Sequence, residues 1–265
     1  MRNKVLFSCF DKSLMTWQNE QSHFEHKEKI MTKQMNRRKR HHASNGSRTF
    51  TIGLVVIGAL LIAFALILPN LKSGADLILP GQVDRPAGQG LTLGDITAPA
   101  RIDVFEDFQC PACAQYSADI EPLVLEKLVA TGKAYYVFNN YPFLDSNSAA
   151  KESRGAANAS LCANEHGKFW EYHDVLFANW NGENQGAFSA GNLVEFAKGL
   201  ELDLKDFQAC VDEDRYAADV QASFENGNAM GVSGTPSVFV NGVMITPGYI
   251  PSYEDIAAAV EAVQP

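Results

Sequence analysis

Cys110-Pro111-Ala112-Cys113 constrains this chain more than any other feature. The pair lies between a strand pattern and a helix pattern. Before it, Arg101–Phe108 places Ile102, Val104 and Glu106 on one face and Asp103, Phe105 and Asp107 on the other. After it, Tyr116, Ile120, Val124, Leu125 and Leu128 recur at helical spacing, and Gly132 ends the helix. Ala134–Phe138, aromatic and β-branched, is a second strand. Strand, CxxC, helix, strand is a βαβ unit.

In that unit Cys110 takes the N-cap and Pro111 the first helical position, where no amide donor is needed. Free helix N–H groups and the macrodipole favour a thiolate at Cys110. Such placement lowers a thiol pKa from about 8.5 into the range of roughly 3.5–7.5. Cys110 is then the attacking and leaving sulfur, and Cys113 the resolving one. Other uses of the pair fit less well. Zinc wants four ligands, and the sequence holds no second CxxC and no HxxxH. Haem attachment wants His after the second Cys, where Ala114 stands. A purely structural disulfide would sit unusually at such a junction. The chemistry calls for no cofactor and no metal.

Residues 146–229 read as a run of helices. One face carries Ala149, Ala156, Ala159 and Cys162, and another carries Phe169, His173, Leu176, Phe177 and Trp180. Two more begin with Leu193 and Leu204. Ser237–Val240 returns to strand, Asn241-Gly242 is a two-residue hairpin signal, Val243–Thr246 is the partner strand, and Tyr253–Val263 is a closing helix. The fold class is α/β, a mixed sheet interrupted by a helical subdomain.

Further residues carry a family resemblance. Phe105-Glu106-Asp107-Phe108-Gln109-Cys110-Pro111-Ala112-Cys113, Gly167-Lys168-Phe169-Trp170-Glu171-Tyr172-His173, Gly231-Val232-Ser233-Gly234-Thr235-Pro236 and Val240-Asn241-Gly242 together resemble a DsbA-type thioredoxin-fold protein of the membrane-anchored kind. The resemblance runs from about Leu93 to the C-terminus. It implies a thioredoxin-like fold with an inserted helical subdomain and a cis Thr235–Pro236 bond. It also implies a loop at Thr235 and Pro236 that faces the CxxC and offers backbone groups to a substrate strand. Many members have Glu six residues before the first Cys, where this chain has Val104. Glu106 is on the same strand face and is the candidate for proton transfer near Cys113; the plainer alternative is a solvated carboxylate. Asp107 matches the family pattern and reads as structural.

Residues 1–50 hold 11 basic and 4 acidic residues, a net of +7, while the rest holds 11 and 27, a net of −16. An acidic body argues against a nucleic-acid partner. Phe50–Leu68 carries no charge and is long enough for a bilayer span. Arg37, Arg38, Lys39, Arg40 and Arg48 precede it, so the tail should be cytoplasmic and the body extracytoplasmic. The expected layout is a basic, disordered tail over 1–49 and one transmembrane helix over 50–69. A Pro/Gly-rich linker or loosely docked arm covers 70–91, and the folded domain 92–265. Ser73-Gly74-Ala75 leaves open a cleaved signal peptide, and Met31 and Met35 are alternative starts.

Cys162 and Cys210 both lie in the helical insertion and are expected to pair in an oxidising compartment; two separate buried thiols remain the alternative. Cys162 and His166 have metal-compatible spacing, but nothing completes the shell. His173 reads as a packed helix-face histidine. The function expected is an extracytoplasmic oxidoreductase that oxidises cysteine pairs of exported proteins. A membrane partner of the DsbB or VKOR type would reoxidise it. A reductase or isomerase, and a non-catalytic thioredoxin-fold chaperone, are the alternatives. Pro111-Ala112 adds no charge between the cysteines, which leaves the poise intermediate.

Overall fold

The computed structural model describes residues 77–265 apart from 82 and 148, and outside that body residues 29, 31–35, 52 and 55–58. The chain divides into two units, 1–73 and 74–265. In the first, the described residues are helical. Apart from those few positions, the expected tail, the apolar run 50–69 and the triplet Ser73-Gly74-Ala75 lie outside the described residues. No helix among the described residues is long and apolar enough to cross a membrane.

The second unit is built on a six-stranded sheet. Its strands are β1 (Gly88–Gln89), β2 (Thr92–Leu93), β3 (Ala100–Glu106), β4 (Ala134–Asn140), β5 (Ser237–Val240) and β6 (Val243–Ile245), in the order β1-β2-β4-β3-β5-β6. β3 and β4 are parallel; the other neighbours are antiparallel. β3 sits between β4 and β5 and is covered on both sides, so every residue from Ile102 to Glu106 is buried. Its acidic residues therefore do not mark a solvent face, as an alternating pattern usually would.

The register sorts the side chains. Ile102, Val104 and Glu106 share one face with Tyr136, Phe138 and Asn140 of β4 and with Val238 and Val240 of β5. That face packs against α1 (Pro111–Asp119), α2 (Glu121–Val124) and α8 (Tyr253–Glu261) through Tyr116, Val124, Ile256 and Val260. The opposite face, with Phe105 and Phe239, is covered by α7 (Ala217–Ala229) through Phe224. α7 approaches so closely that a Cβ at Gly227 would stand 2.6 Å from the Tyr141 ring and 3.1 Å from Phe105. Only glycine fits there.

The helix expected after the CxxC is broken. α1 ends at Asp119, and α2 starts at Glu121 and runs into a π-helical turn at Leu125–Val129. Pro122 is the cause. It offers no N–H to the preceding turn, and its ring crowds the carbonyl four residues back. Between β4 and β5 lie α3 (Glu152–Glu165), α4 (Phe169–Ala178), α5 (Ala190–Gly199), α6 (Leu204–Asp212) and α7. α3 to α6 enclose a core of Cys162, Phe169, Tyr172, Leu176, Leu193, Phe207 and their neighbours. Each fully buried aromatic or leucine of that core contributes roughly 1.5–3 kcal/mol by leaving water. Cys162 of α3 and Cys210 of α6 are joined by a disulfide with S–S 2.00 Å.

The stretch expected to be a linker over 70–91 is docked in its described part. Leu77 packs on the helical core. Asn179 brackets Ile78, accepting from its N–H at 2.9 Å and donating to its carbonyl at 2.8 Å. Arg85 donates to both Asp174 oxygens at 2.7 and 2.5 Å. The sheet itself starts at Gly88, before the expected boundary at 92. Composition alone suggested a linker because Pro and Gly recur through the stretch. The few residues that anchor it are spaced by no period.

Candidate active site

Cys110 is the N-cap of α1 and Pro111 its first residue. The turn that presents them is tied down from both sides. Asp107 accepts from the N–H of Gln109 at 2.9 Å and of Leu144 at 3.0 Å. Burial pushes its carboxyl up to about 6 against those two hydrogen bonds. The Gln109 side chain donates to Ser153 Oγ at 2.8 Å, and the Gln109 backbone carbonyl accepts from Trp180 Nε1 at 2.7 Å. The insertion thus grips the residue beside Cys110, a role that the sequence pattern did not announce.

The two sulfurs differ sharply. Cys110 keeps 6% of its surface exposed and Cys113 keeps none. Both are free thiols. The Cys110 thiol is lowered from 9.0 to about 6, chiefly by the hydrogen bond from Cys113, while burial opposes the shift. Thr235 and the amides of Ala112 and Cys113 add to the lowering, although no full capping hydrogen bond closes on Sγ. The Cys113 thiol is raised well above its usual value, first by burial, then by its bond to Cys110 and by the nearby Glu106 charge.

Opposite the pair lies the Thr235–Pro236 loop, whose peptide bond is cis. Cys110 Sγ is 3.3 Å from the Thr235 carbonyl. The loop is held by Ser237 Oγ donating to Gly234 O at 2.8 Å. The Tyr141 hydroxyl sits 2.9 Å from Val232 O and 2.6 Å from Asn228 Oδ1.

Glu106 is fully buried at the end of β3, which removes the solvated-carboxylate alternative. Burial pushes its carboxyl well up, and the charges of Glu121 and Cys110 push it further. Sequence reasoning missed Glu121, which is 1% exposed. Its only signal was an acid placed directly before Pro122 in an apolar helical stretch. His173 is packed, with ring contacts to Phe108, Phe138 and Phe177 at 4.9–5.8 Å. It is also polar in its contacts, with Nδ1 3.0 Å from Asp174 and Nε2 3.7 Å from Glu121.

The Cys162 sulfur is taken up by the disulfide and offers nothing to a metal with His166. Glu165, His166 and Asp206 do bring ligand atoms together. Arg215 already lies 2.8 Å from Glu165 and 3.6 Å from Asp206, supplying the positive charge a cation would bring.

A helix-capping CxxC facing a cis-proline loop, on a sheet interrupted by a helical insertion, defines a thioredoxin-fold disulfide oxidoreductase domain of the DsbA-like kind. The family model described as thioredoxin matches residues 87–262, and the chain belongs to that family. The solved structure of oxidised BdbD from Bacillus subtilis superposes with a TM-score of 0.58 at 25% identity, covering 68% of this chain and 98% of that one. The disulfide bond formation protein D of Bacillus subtilis is 26% identical over 172 residues, which are 64% of this chain and 74% of that protein. The Na(+)/H(+) antiporter NhaA 3 of Salinispora tropica is 34% identical over 167 residues, which are 63% of this chain. The chain spans 23% of the length of that antiporter and of a second one from Salinispora arenicola.

Proposed function

We propose that this chain is an extracytoplasmic thiol–disulfide oxidoreductase that oxidises cysteine pairs of exported proteins, tethered through the apolar run 50–69. Cys110 is the exchanging sulfur and Cys113 the resolving one. Thr235 and Pro236 form the edge on which a substrate strand docks, and Glu106 handles the proton of Cys113. A membrane partner of the DsbB or VKOR type returns the pair to the disulfide. Cys162–Cys210 serves only to hold the insertion.

The observation that carries the reading is the split between the two thiols. A sulfur that keeps a small exposed surface and is lowered to about 6, beside a fully buried one raised well above its usual value, assigns attack to the first and resolution to the second. A stabilised Cys110 thiolate also favours the reduced enzyme, which makes its disulfide an oxidant. A thiol moved from 9.0 to about 6 gains roughly tenfold in that equilibrium at pH 7, about 30 mV for a two-electron couple. The same split disfavours a chaperone whose cysteines are merely structural.

Equilibration of the purified protein in glutathione buffers tests the direction. The expected potential lies above that of thioredoxin. A value near about −270 mV would make the protein a reductase instead. Trapping with Cys113→Ala is expected to capture exported proteins as mixed disulfides on Cys110.

A further inference from the structure

Beneath the CxxC, β3, β4, α1, α2 and α4 bring a group of polar side chains into one buried layer. The β3–β4 register sets Glu106 beside Asn140, and Tyr136 and Phe138 continue that face. Tyr116 of α1 lies in the same core layer as Tyr136, and the ring of His173 rests on Phe138 at 5.3 Å. Among the described residues, both Glu106 oxygens, Asn140 Oδ1, the hydroxyls of Tyr116 and Tyr136, Glu121 Oε2 and His173 Nε2 are buried without a hydrogen-bond partner. Isolated buried polar atoms are costly, so a group of them in one layer calls for an account beyond packing alone. The layer has a charged far end. Arg85 Nη2 is 3.4 Å from Glu121 and 2.5 Å from Asp174, and His173 stands between those two carboxyl groups.

We propose that Glu121, held by Arg85 and His173, is a positioning residue coupled to the cysteines through Glu106, and that it sets the pH range in which Cys113 can leave. The inference rests on the exchange reaction proposed above. In that reaction a substrate thiolate attacks Cys110 Sγ and forms a mixed disulfide, and the Cys110–Cys113 bond breaks. The electron pair stays on Cys113 Sγ, which takes the proton of the Glu106 carboxyl and leaves a carboxylate. Attack is therefore productive while Glu106 is protonated. The charge on Glu121, balanced by the Arg85 guanidinium, holds that proton on Glu106 to higher pH. The titratable and charged groups around Glu106 and Glu121 are Cys110, Cys113 and Tyr116 from α1, Tyr136 from β4, His173 and Asp174 from α4, and Arg85 from the arm, the last three lying against Glu121 of α2. Of these, Glu121 is the one whose negative charge acts most strongly on Glu106.

The test is the rate at which a small dithiol reduces the oxidised full-length protein, corrected for the dithiol's own ionisation and followed across pH. Wild type should lose rate as pH rises through the Glu106 titration. Glu121→Gln keeps the shape and removes the charge, so the loss should move to lower pH by about one unit, a tenfold drop on the falling limb. Glu106→Gln should abolish the pH dependence, with or without Glu121→Gln. A merely structural role for Glu121 would lower the rate at every pH without moving the profile, and that result overturns the inference. A wild type that does not exchange with dithiol at all overturns the proposed function instead. If Glu121→Gln fails to fold, carboxyl carbon titration of glutamate-labelled wild type decides. Glu106 and Glu121 should each titrate in two steps because each feels the other's charge. Two independent single steps would overturn the coupling.

Discussion

Removing the second cysteine should change the acidity of the first. The hydrogen bond from Cys113 is the largest cause that lowers the Cys110 thiol to about 6. In Cys113→Ala that bond is gone, while the amides at the start of α1 and the Thr235 contact remain. The Cys110 titration should therefore rise by about 1–2 units, toward but not fully to the free-thiol value of about 8.5. The choice of assay matters. At pH 7 a thiol of pKa about 6 is about 90% thiolate, and one at about 8.5 is about 3% thiolate, roughly a thirtyfold difference. A more basic thiolate is also more nucleophilic, with a Brønsted coefficient of about 0.4–0.5, which returns roughly ten- to eighteenfold over that span. The alkylation rate at pH 7 thus falls only about two- to threefold even in the limiting case. The midpoint of the rate–pH curve is the quantity to measure, by alkylation and mass spectrometry of the peptide that contains Cys110, which separates it from the further cysteine of the N-terminal segment, Cys9. A midpoint that stays near the wild-type value would refute Cys113 as the source of the shift. A wild-type midpoint near the free-thiol value would refute the electrostatic reading of the site.

Other outcomes follow from the same contacts. Removing the Cys162–Cys210 disulfide with a double alanine variant should cost about 2–4 kcal/mol in denaturant unfolding, because the bridge spans 48 residues. It should leave dithiol exchange at Cys110 intact, since the bridge lies in the helical insertion. Glu106→Gln should flatten part of the pH dependence of stability. The Glu106 carboxyl is raised well above 4.5 in the folded protein, so the folded state holds a proton that the unfolded chain releases. Stability from this group is full below the unfolded pKa and is lost as pH rises toward the folded one, and unfolding at mildly acidic and mildly alkaline pH reads the difference. Arg85→Ala should destabilise the protein by about 3 kcal/mol, because it strands the buried Glu121 and the partly buried Asp174 carboxylates. A double-mutant cycle with Asp174→Asn would assign that loss to the pair.

Much of the site could be read from the chain because the physics behind it is local. The N-cap at Cys110, Pro111 at the helix start and the turn at Asn241-Gly242, with positive φ of 48° and 80°, depend on neighbours within a few residues. The break at Pro122 was equally local and was passed over, because the apolar spacing across it kept helical phase. The strand character of β3 was legible, but its burial was not. Alternation reports which residues share a face and says nothing of what covers each face.

The sequence by itself determined a strand, a capped CxxC helix and a hairpin, and through the combination of motifs a thioredoxin-like fold with a dithiol at its working edge. Only the tertiary structure decided what surrounds that dithiol. The Thr235 carbonyl that meets Cys110 comes from 125 residues away, and Arg85 reaches Glu121 and Asp174 across 36 and 89 residues. The shift of a carboxyl or thiol depends on the water it loses and the charges it gains. Both are set by packing between distant segments, and no spacing along the chain records them.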